Sequence, residues 1–391
     1  MFKMINKPEH ALLPAGLTDL LPPFAAHEEM LATELKRHYS LAGYELVKPP
    51  LLEFESALLK GIGADVAKET YRLMDPLSNR MMAVRADITP QIARLAWTQL
   101  SKSPRPLRIM YDGEVLRATL GGIRKKRGFR TVGLELIGSN DAAMADAEVI
   151  LLAVESLLSA GINGLTVDIN VPSMAQSICK QEDLTLDEIE VVLQALSRKD
   201  RSGIQKVLGS KSSKLLTLIS AGGEAGACLD QLAGLGLPDD AALLNRRLRE
   251  VVSLVRSAQP ELNLTIDPAE TRGFEYHLGI SFAIFCSSSL SELGMGGRYQ
   301  SNEREMATGF SIFMDVLTDL VPRAPSLKRL YIPFGVSLNT SRELREAGWV
   351  VIHGLVSEKN VEEEARRSLC SHFWADGQVN ALLEPLDRGG T

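Results

Sequence analysis

Three β-rich runs, residues 81–85, 107–115 and 131–137, are joined by hairpin-length connections more than by crossover helices. That spacing predicts an antiparallel sheet, because parallel neighbours need a long, usually helical, connection. The third run alternates with period two. Thr131, Gly133 and Glu135 share one face, and Val132, Leu134 and Leu136 share the other. A helix follows, with Ser139 and Asn140 as cap candidates. Ala143, Ala147, Ile150, Val154 and Leu157 form its apolar stripe, and Gly161 ends it.

The flanking sequence extends this pattern. Leu31, Leu35, Tyr39 and Ala42 recur at helical spacing over 24–42, and Gly43 is a natural stop. A short strand over 44–47 ends at Pro49 and Pro50, which cannot donate ladder hydrogen bonds. Residues 165–171 are again strand-like. From about 179 to 257 the periodicity is helical, broken at Gly222–Gly223 and Gly234–Gly236, which predicts a helical insertion between two halves of one sheet. Strand-like sequence returns over 265–285. A Gly-rich turn (Gly294, Gly296, Gly297) and a helix over about 310–320 are predicted next. Past Pro322 and Pro325, strand-like segments 330–336 and 349–353 alternate with helical 341–347 and 361–369. The expected organisation is therefore α+β: a main domain over 1–322 and a small C-terminal α/β domain over 323–391.

Composition narrows the class. With 391 residues, 45% hydrophobic and 24% charged, the chain can build substantial cores and is neither disordered nor collagen-like. No apolar stretch is long enough to predict a membrane span, and the N-terminal residues carry no signal-peptide pattern. Four well-separated cysteines predict reduced thiols in a cytoplasmic protein. A net charge of −6 and 5% aromatic residues argue against a broad nucleic-acid footprint. No P-loop, dinucleotide fingerprint, Gly-flanked nucleophilic serine or metal-ligand spacing occurs, so no cofactor, metal or catalytic residue is assigned.

Seven segments then occur in a telling order: PAGLTD (14–19), GYELVKPPLLE (43–53), RIMYDGEVLRA (108–118), GLELIG (133–138), TRGFEYHLG (271–279), GGRY (296–299) and GFSIFMDVL (309–317). Together they resemble class II aminoacyl-tRNA synthetases, and histidyl-tRNA synthetase in particular. The resemblance implies an antiparallel sheet flanked by helices, with the helical insertion where that family carries one. It also implies a histidine-binding pocket. Asp87 and Thr89 fill the places that receive the α-ammonium and Arg272 the carboxylate side, Glu135 matches the family's Glu on the small-molecule face, and Tyr276 is kept. Thr131 replaces a family Gln and His277 a family Tyr, whereas Arg117 keeps the second motif's Arg.

The departures fall on ATP. The Glu that holds adenine is Thr119 here, and the third motif's phosphate-clamping Arg is Val316. An isopropyl group cannot donate to a phosphate, and loss of such a clamp typically costs several powers of ten in rate. Kept pocket residues with lost ATP residues resemble the regulatory-subunit family of ATP phosphoribosyltransferase. That resemblance implies a non-catalytic partner of the short-form catalytic subunit in the first step of histidine biosynthesis. It also implies a dimer within a hetero-octamer, histidine as feedback effector, and no tRNA or membrane partner. The tail over 323–391 is short for the synthetases' anticodon-binding domain, which agrees.

Read from the residues alone, other roles stay open. Arg85, Arg117 and Arg272 serve equally as structural ion-pair partners, Asp87 and Glu135 as solvated strand carboxylates, and His277 as a hydrogen-bonding residue. The basic run Arg124, Lys125, Lys126, Arg127 and Arg130 is either a solvated loop tip or an anion or acidic-partner site. The alternative function is an amino-acid-activating ligase with an atypical ATP site.

Overall fold

A computed structural model describes residues 12–64, 66–119, 126–182, 184–270, 277–323 and 327–382, the side chains of residues 277 and 290 excepted. The chain divides into two compact units, Met1–Pro322 and Arg323–Thr391.

In the first unit the elements run α1 (Phe24–Leu41), β1 (Glu45–Val47), β2 (Leu52–Phe54), α2 (Glu55–Leu58), β3 (Arg72–Met74), β4 (Met81–Val84), α3 (Thr89–Trp97), β5 (Leu107–Leu116) and β6 (Gly128–Ile137). There follow α4 (Ala142–Ser159), β7 (Leu165–Asn170), α5 (Pro172–Gln181), α6 (Leu186–Ser197), α7 (Arg201–Leu208), α8 (Ser213–Ala221), β8 (Gly223–Glu224), α9 (Ala225–Ala233) and α10 (Asp239–Ala258). The unit closes with β9 (Asn263–Ile266), β10 (His277–Cys286), β11 (Ser289–Gln300), β12 (Met306–Phe313) and α11 (Met314–Leu320).

Among the described residues, nine strands form one sheet in the order β1-β5-β6-β12-β11-β10-β7-β9-β8, and β2-β4-β3 form a small second sheet. The centre is antiparallel, from β5 through β6, β12, β11 and β10 to β7. Two pairings depart from the expected pattern: β1 on β5 and β7 on β9 are parallel. Each joins strands separated by a long excursion, as parallel pairing requires. For β7 and β9 the excursion is the helical block α5–α10. For β1 and β5 it holds the small sheet and α3, a helix that hairpin-length spacing does not predict.

Alternation along the strands builds two cores. Val132, Leu134 and Leu136 of β6, Phe310 and Ile312 of β12, and Ile280, Phe282 and Ile284 of β10 are buried with α1, α4 and the helical block. The opposite face carries Ile109, Tyr111, Phe129, Tyr299 and Phe313, packed with Ile88, Ile92 and Ala96 from the α3 region.

Three local expectations are corrected. Asp141, not Ser139 or Asn140, caps α4 by accepting from the Met144 amide at 3.0 Å. Gly294, Gly296 and Gly297 lie inside β11, not in a turn. A Cβ on Gly296 would lie 2.2 Å from the Gly309 carbonyl oxygen and 2.7 Å from the Phe282 ring, so close strand packing requires glycine. Finally, residues 310–313 extend β12, and the helix starts only at Met314. A short apolar run is ambiguous between the two states, and β12 is settled by pairing on both sides. Gly296→Ala is expected to destabilise by about 3 kcal/mol, read from the urea midpoint, because backbone and ring atoms must move.

The second unit holds β13 (Arg329–Ile332), α12 (Leu338–Glu346), β14 (Val350–His353), α13 (Val361–Arg367), β15 (His372–Ala375) and β16 (Gln378–Ala381). Its strands order as β14-β13-β15-β16, parallel except for the final hairpin.

Candidate functional site

The sheet face opposite the helical block opens into a cleft. Its walls include Asp87, Thr89, Arg117, Thr131 and Glu135, so five of the eight residues singled out from sequence converge there. Arg272 and Tyr276 lie outside the described residues. His277 opens β10 opposite Tyr299 in register, and its side chain is likewise outside them.

One end of the cleft is acidic and hydrogen-bonding. Asp87 and Thr89 sit on the turn that starts α3, where Asp87 Oδ1 accepts from the Thr89 amide at 3.2 Å and its hydroxyl at 3.3 Å. Glu135 projects from β6 with 1% of its surface exposed and accepts from the Tyr299 hydroxyl at 3.0 Å. Its register partner is Gly309, where a Cβ would fall 1.8 Å from Glu135 Oε2. Beyond Gly309 lies Gly297, so two glycines floor the cleft beside the carboxyl. Burial pushes the Glu135 carboxyl up to about 8; the nearby Asp87 adds to the rise, and bonds from Tyr299, Thr89 and Tyr111 oppose it.

Tyr111 reaches this end from β5. Its hydroxyl donates to the Phe310 carbonyl at 3.2 Å and lies 2.8 Å from Ser311 Oγ. Gly133 leaves room for it, since a Cβ there would meet the Tyr111 hydroxyl at 2.5 Å. Tyr111, Tyr299 and Ser311 were not singled out from sequence. For Tyr299 the signal is present in GGRY, where period two places it on the same face as Gly297.

The other end is aromatic. Phe129 and Phe313 meet edge to face at 6.0 Å, and the Arg117 guanidinium lies 5.4 Å from the Phe129 ring centroid. Glu69 Oε2 is 3.3 Å from Arg117 Nε, so this cation is already ion-paired. Val316 packs against both apolar cores, and Thr119 is exposed. Of the basic run, Arg124 and Lys125 lie outside the described residues. Arg130 is tied to Asp112 at 2.6 and 2.7 Å and to Glu29 at 2.7 Å, and Arg127 lies over the Tyr71 ring at 5.7 Å.

Two carboxyl groups and several hydroxyls facing one cleft suit a small ligand with nitrogen donors. Among the described residues, no three His, Cys, Asp or Glu side chains come together to hold a metal. Nor is any helix there long and apolar enough to cross a membrane.

The histidyl-tRNA synthetase family model matches residues 16–317. The ATP phosphoribosyltransferase regulatory subunit of Rhodospirillum centenum is 44% identical over 378 residues, spanning 96% of this chain and 98% of its own length. A solved structure described as an ATP phosphoribosyltransferase regulatory subunit/histidyl-tRNA synthetase from Bacillus halodurans superposes with a TM-score of 0.80 at 22% identity, over 93% of this chain and 97% of that one. A chain of the ATP phosphoribosyl transferase (HisG:HisZ) complex from Thermotoga maritima gives 0.59 at 20% identity, over 73% and 97%. At those identities the two structures speak to fold alone. By the extent of the family match and the identity to full-length relatives, this chain belongs to the ATP phosphoribosyltransferase regulatory subunit family, on the histidyl-tRNA synthetase fold.

Proposed function

We propose that the chain is a non-catalytic regulatory subunit that assembles with a short-form ATP phosphoribosyltransferase catalytic subunit, and that its cleft takes histidine as feedback effector. Asp87 and Thr89 receive the α-ammonium and Glu135, steadied by Tyr299, the ring nitrogen. Arg272 and Tyr276 join them by resemblance to the synthetase pocket. The assembly contains dimers of this chain within a hetero-octamer.

The observation that carries the non-catalytic reading is Val316. At the position where the synthetases clamp phosphate with Arg, it packs against both apolar cores. The partner reading rests on the regulatory-subunit relatives, and the Thermotoga maritima chain comes from a complex of the kind proposed. A regulator of this type works by binding one assembly state more tightly than another, a coupling of typically about 1–3 kcal/mol.

The test is phosphoribosyltransferase activity of the purified catalytic subunit with and without this chain, titrated with L-histidine. Activity is expected to require the chain and to fall with histidine. Asp87→Asn is expected to weaken histidine about tenfold, because a bond to a charged group is lost. Histidine-dependent ATP–pyrophosphate exchange by the isolated chain would instead establish the ligase alternative.

A further inference from the structure

In the turn that carries Asp87 and Thr89 the Ile88 carbonyl accepts from the Gln91 amide at 2.9 Å and the Ile92 amide at 3.2 Å, but side-chain support from within is sparse. The two bonds that Asp87 Oδ1 accepts from Thr89 are long, at 3.2 and 3.3 Å. Ile88 occupies the N-cap of α3 without a side-chain bond, and Pro90 in the first turn has no amide proton to offer.

A bracket of buried polar side chains closes around the turn instead. Arg85 precedes it and Gln91 follows it, with 6% and 0% of their surfaces exposed. Arg85 donates to the Glu114 carbonyl at 2.7 Å, the Pro49 carbonyl at 3.0 Å and the Gln91 side-chain oxygen at 3.3 Å. Gln91 Nε2 donates to the Pro50 carbonyl at 2.7 Å and to Glu53 Oε1 at 2.8 Å. Glu53 is in turn gripped by Arg94 at 2.6 and 2.9 Å. Gly113 makes room for this arrangement, since a Cβ there would lie 2.1 Å from Arg85 Nη2.

We propose that Gln91, oriented by Arg85, is a positioning residue of the cleft: it fixes the Asp87–Thr89 turn against the 49–53 segment and so sets the ammonium-binding end. This rests on the histidine reading above. An apolar side chain of the same size would fill the volume with less polar desolvation. A fully satisfied polar network, by contrast, specifies one geometry. Here every side-chain bond of Gln91 runs to groups outside residues 87–89, while its amide donates to the Ile88 carbonyl at 2.9 Å, so the network transfers the rigidity of the 49–53 segment and β5 to the turn. Gln91 acts through Thr89 and Asp87 and does not reach the ligand itself.

The experiment uses the full chain with Gln91→Met, Thr89→Val and the double substitution. L-Histidine affinity is measured by calorimetry, and exchange of the peptide 86–92 by deuterium mass spectrometry. Gln91→Met is expected to weaken histidine about tenfold and to speed exchange over 86–92 about tenfold, with β7 unchanged. In the double variant the loss is expected to fall well short of the product of the two single losses, because part of the Gln91 effect runs through Thr89. Multiplicative losses, or unchanged exchange over 86–92, overturn the proposal. If the Met variant is recovered only unfolded, Gln91→Asn, which keeps the amide but is one methylene too short for the bonds to Pro50 and Glu53, is read in the same way. Absence of histidine binding by the unsubstituted chain overturns the effector reading alone, and the exchange data still decide whether Gln91 holds the turn.

Discussion

Glu135→Gln is expected to stabilise the ligand-free chain above neutral pH and to remove most of the pH dependence that the cleft imposes on folding. The carboxyl titrates at about 8 in the folded protein against an ordinary 4.5, chiefly because it is buried. Between those two values the folded chain holds a proton that the unfolded chain has released. Stability therefore falls as pH rises through this window, by about 1.4 kcal/mol per unit. At pH 8 this one group costs roughly 4 kcal/mol relative to pH 4. Glutamine cannot titrate, and its amide oxygen still accepts from Tyr299.

Urea midpoints of the two proteins from pH 5 to 9 check this. The unsubstituted chain's midpoint should decline and the variant's profile should be shallower, with the gap widest at high pH. Glu28 and Glu114 are also raised by burial and give both proteins a common slope, so the difference between the profiles isolates Glu135. Parallel profiles would mean that the carboxyl is ionised in the fold. The functional sense follows from the sign. A buried acid that is costly while the cleft is empty becomes favourable once a nitrogen donor pairs with it, so the cleft gives up stability for binding. L-Histidine is accordingly expected to flatten the profile of the unsubstituted chain and to have little effect on that of the variant.

Which parts of this site are legible from the chain follows from how local their determinants are. Thr131 and Glu135 share a face because a strand alternates, and that rule needs no partner strand. Asp87 and Thr89 are found through their likeness to the synthetase pocket, since nothing in RADIT itself signals a ligand. Tyr111 and Tyr299 escape because their roles arise across strands: Tyr111 fills the space left by Gly133 and Tyr299 reaches Glu135 from β11. The glycines of 294–297 read as a turn for the same reason. Turn preference is local, whereas the contact of Gly296 with Gly309 exists only once β11 pairs with β12. The parallel seating of β1 and β7 is likewise set by excursions of many residues, which neighbouring residues do not encode.

Arg298→Met is expected to destabilise the first unit by about 3–5 kcal/mol, and Asp146→Leu combined with it to recover much of that loss. Arg298 donates from Nε to the two Asp146 oxygens at 3.0 and 3.2 Å and from Nη2 to the Ala142 carbonyl at 2.8 Å. Both side chains are buried, with 3% and 2% of their surfaces exposed. Removing the guanidinium alone leaves a buried carboxylate without its hydrogen-bonded counter-ion, which is the costly case; replacing both partners by apolar groups removes the desolvation penalty together with the attraction. The pair also has a geometric task. Arg298 lies on β11 between Gly297 and Tyr299, and alternation sends it towards the start of α4 while its neighbours face the cleft. By pinning α4 to that strand it holds β11 in the register that brings the Tyr299 hydroxyl to Glu135. Urea midpoints of the single and double variants measure the stability part. Histidine affinity of the double variant measures the geometric part, and is expected to stay several-fold below that of the unsubstituted chain even where stability returns. Full recovery of affinity would reduce the pair to a packing element with no hand in the cleft.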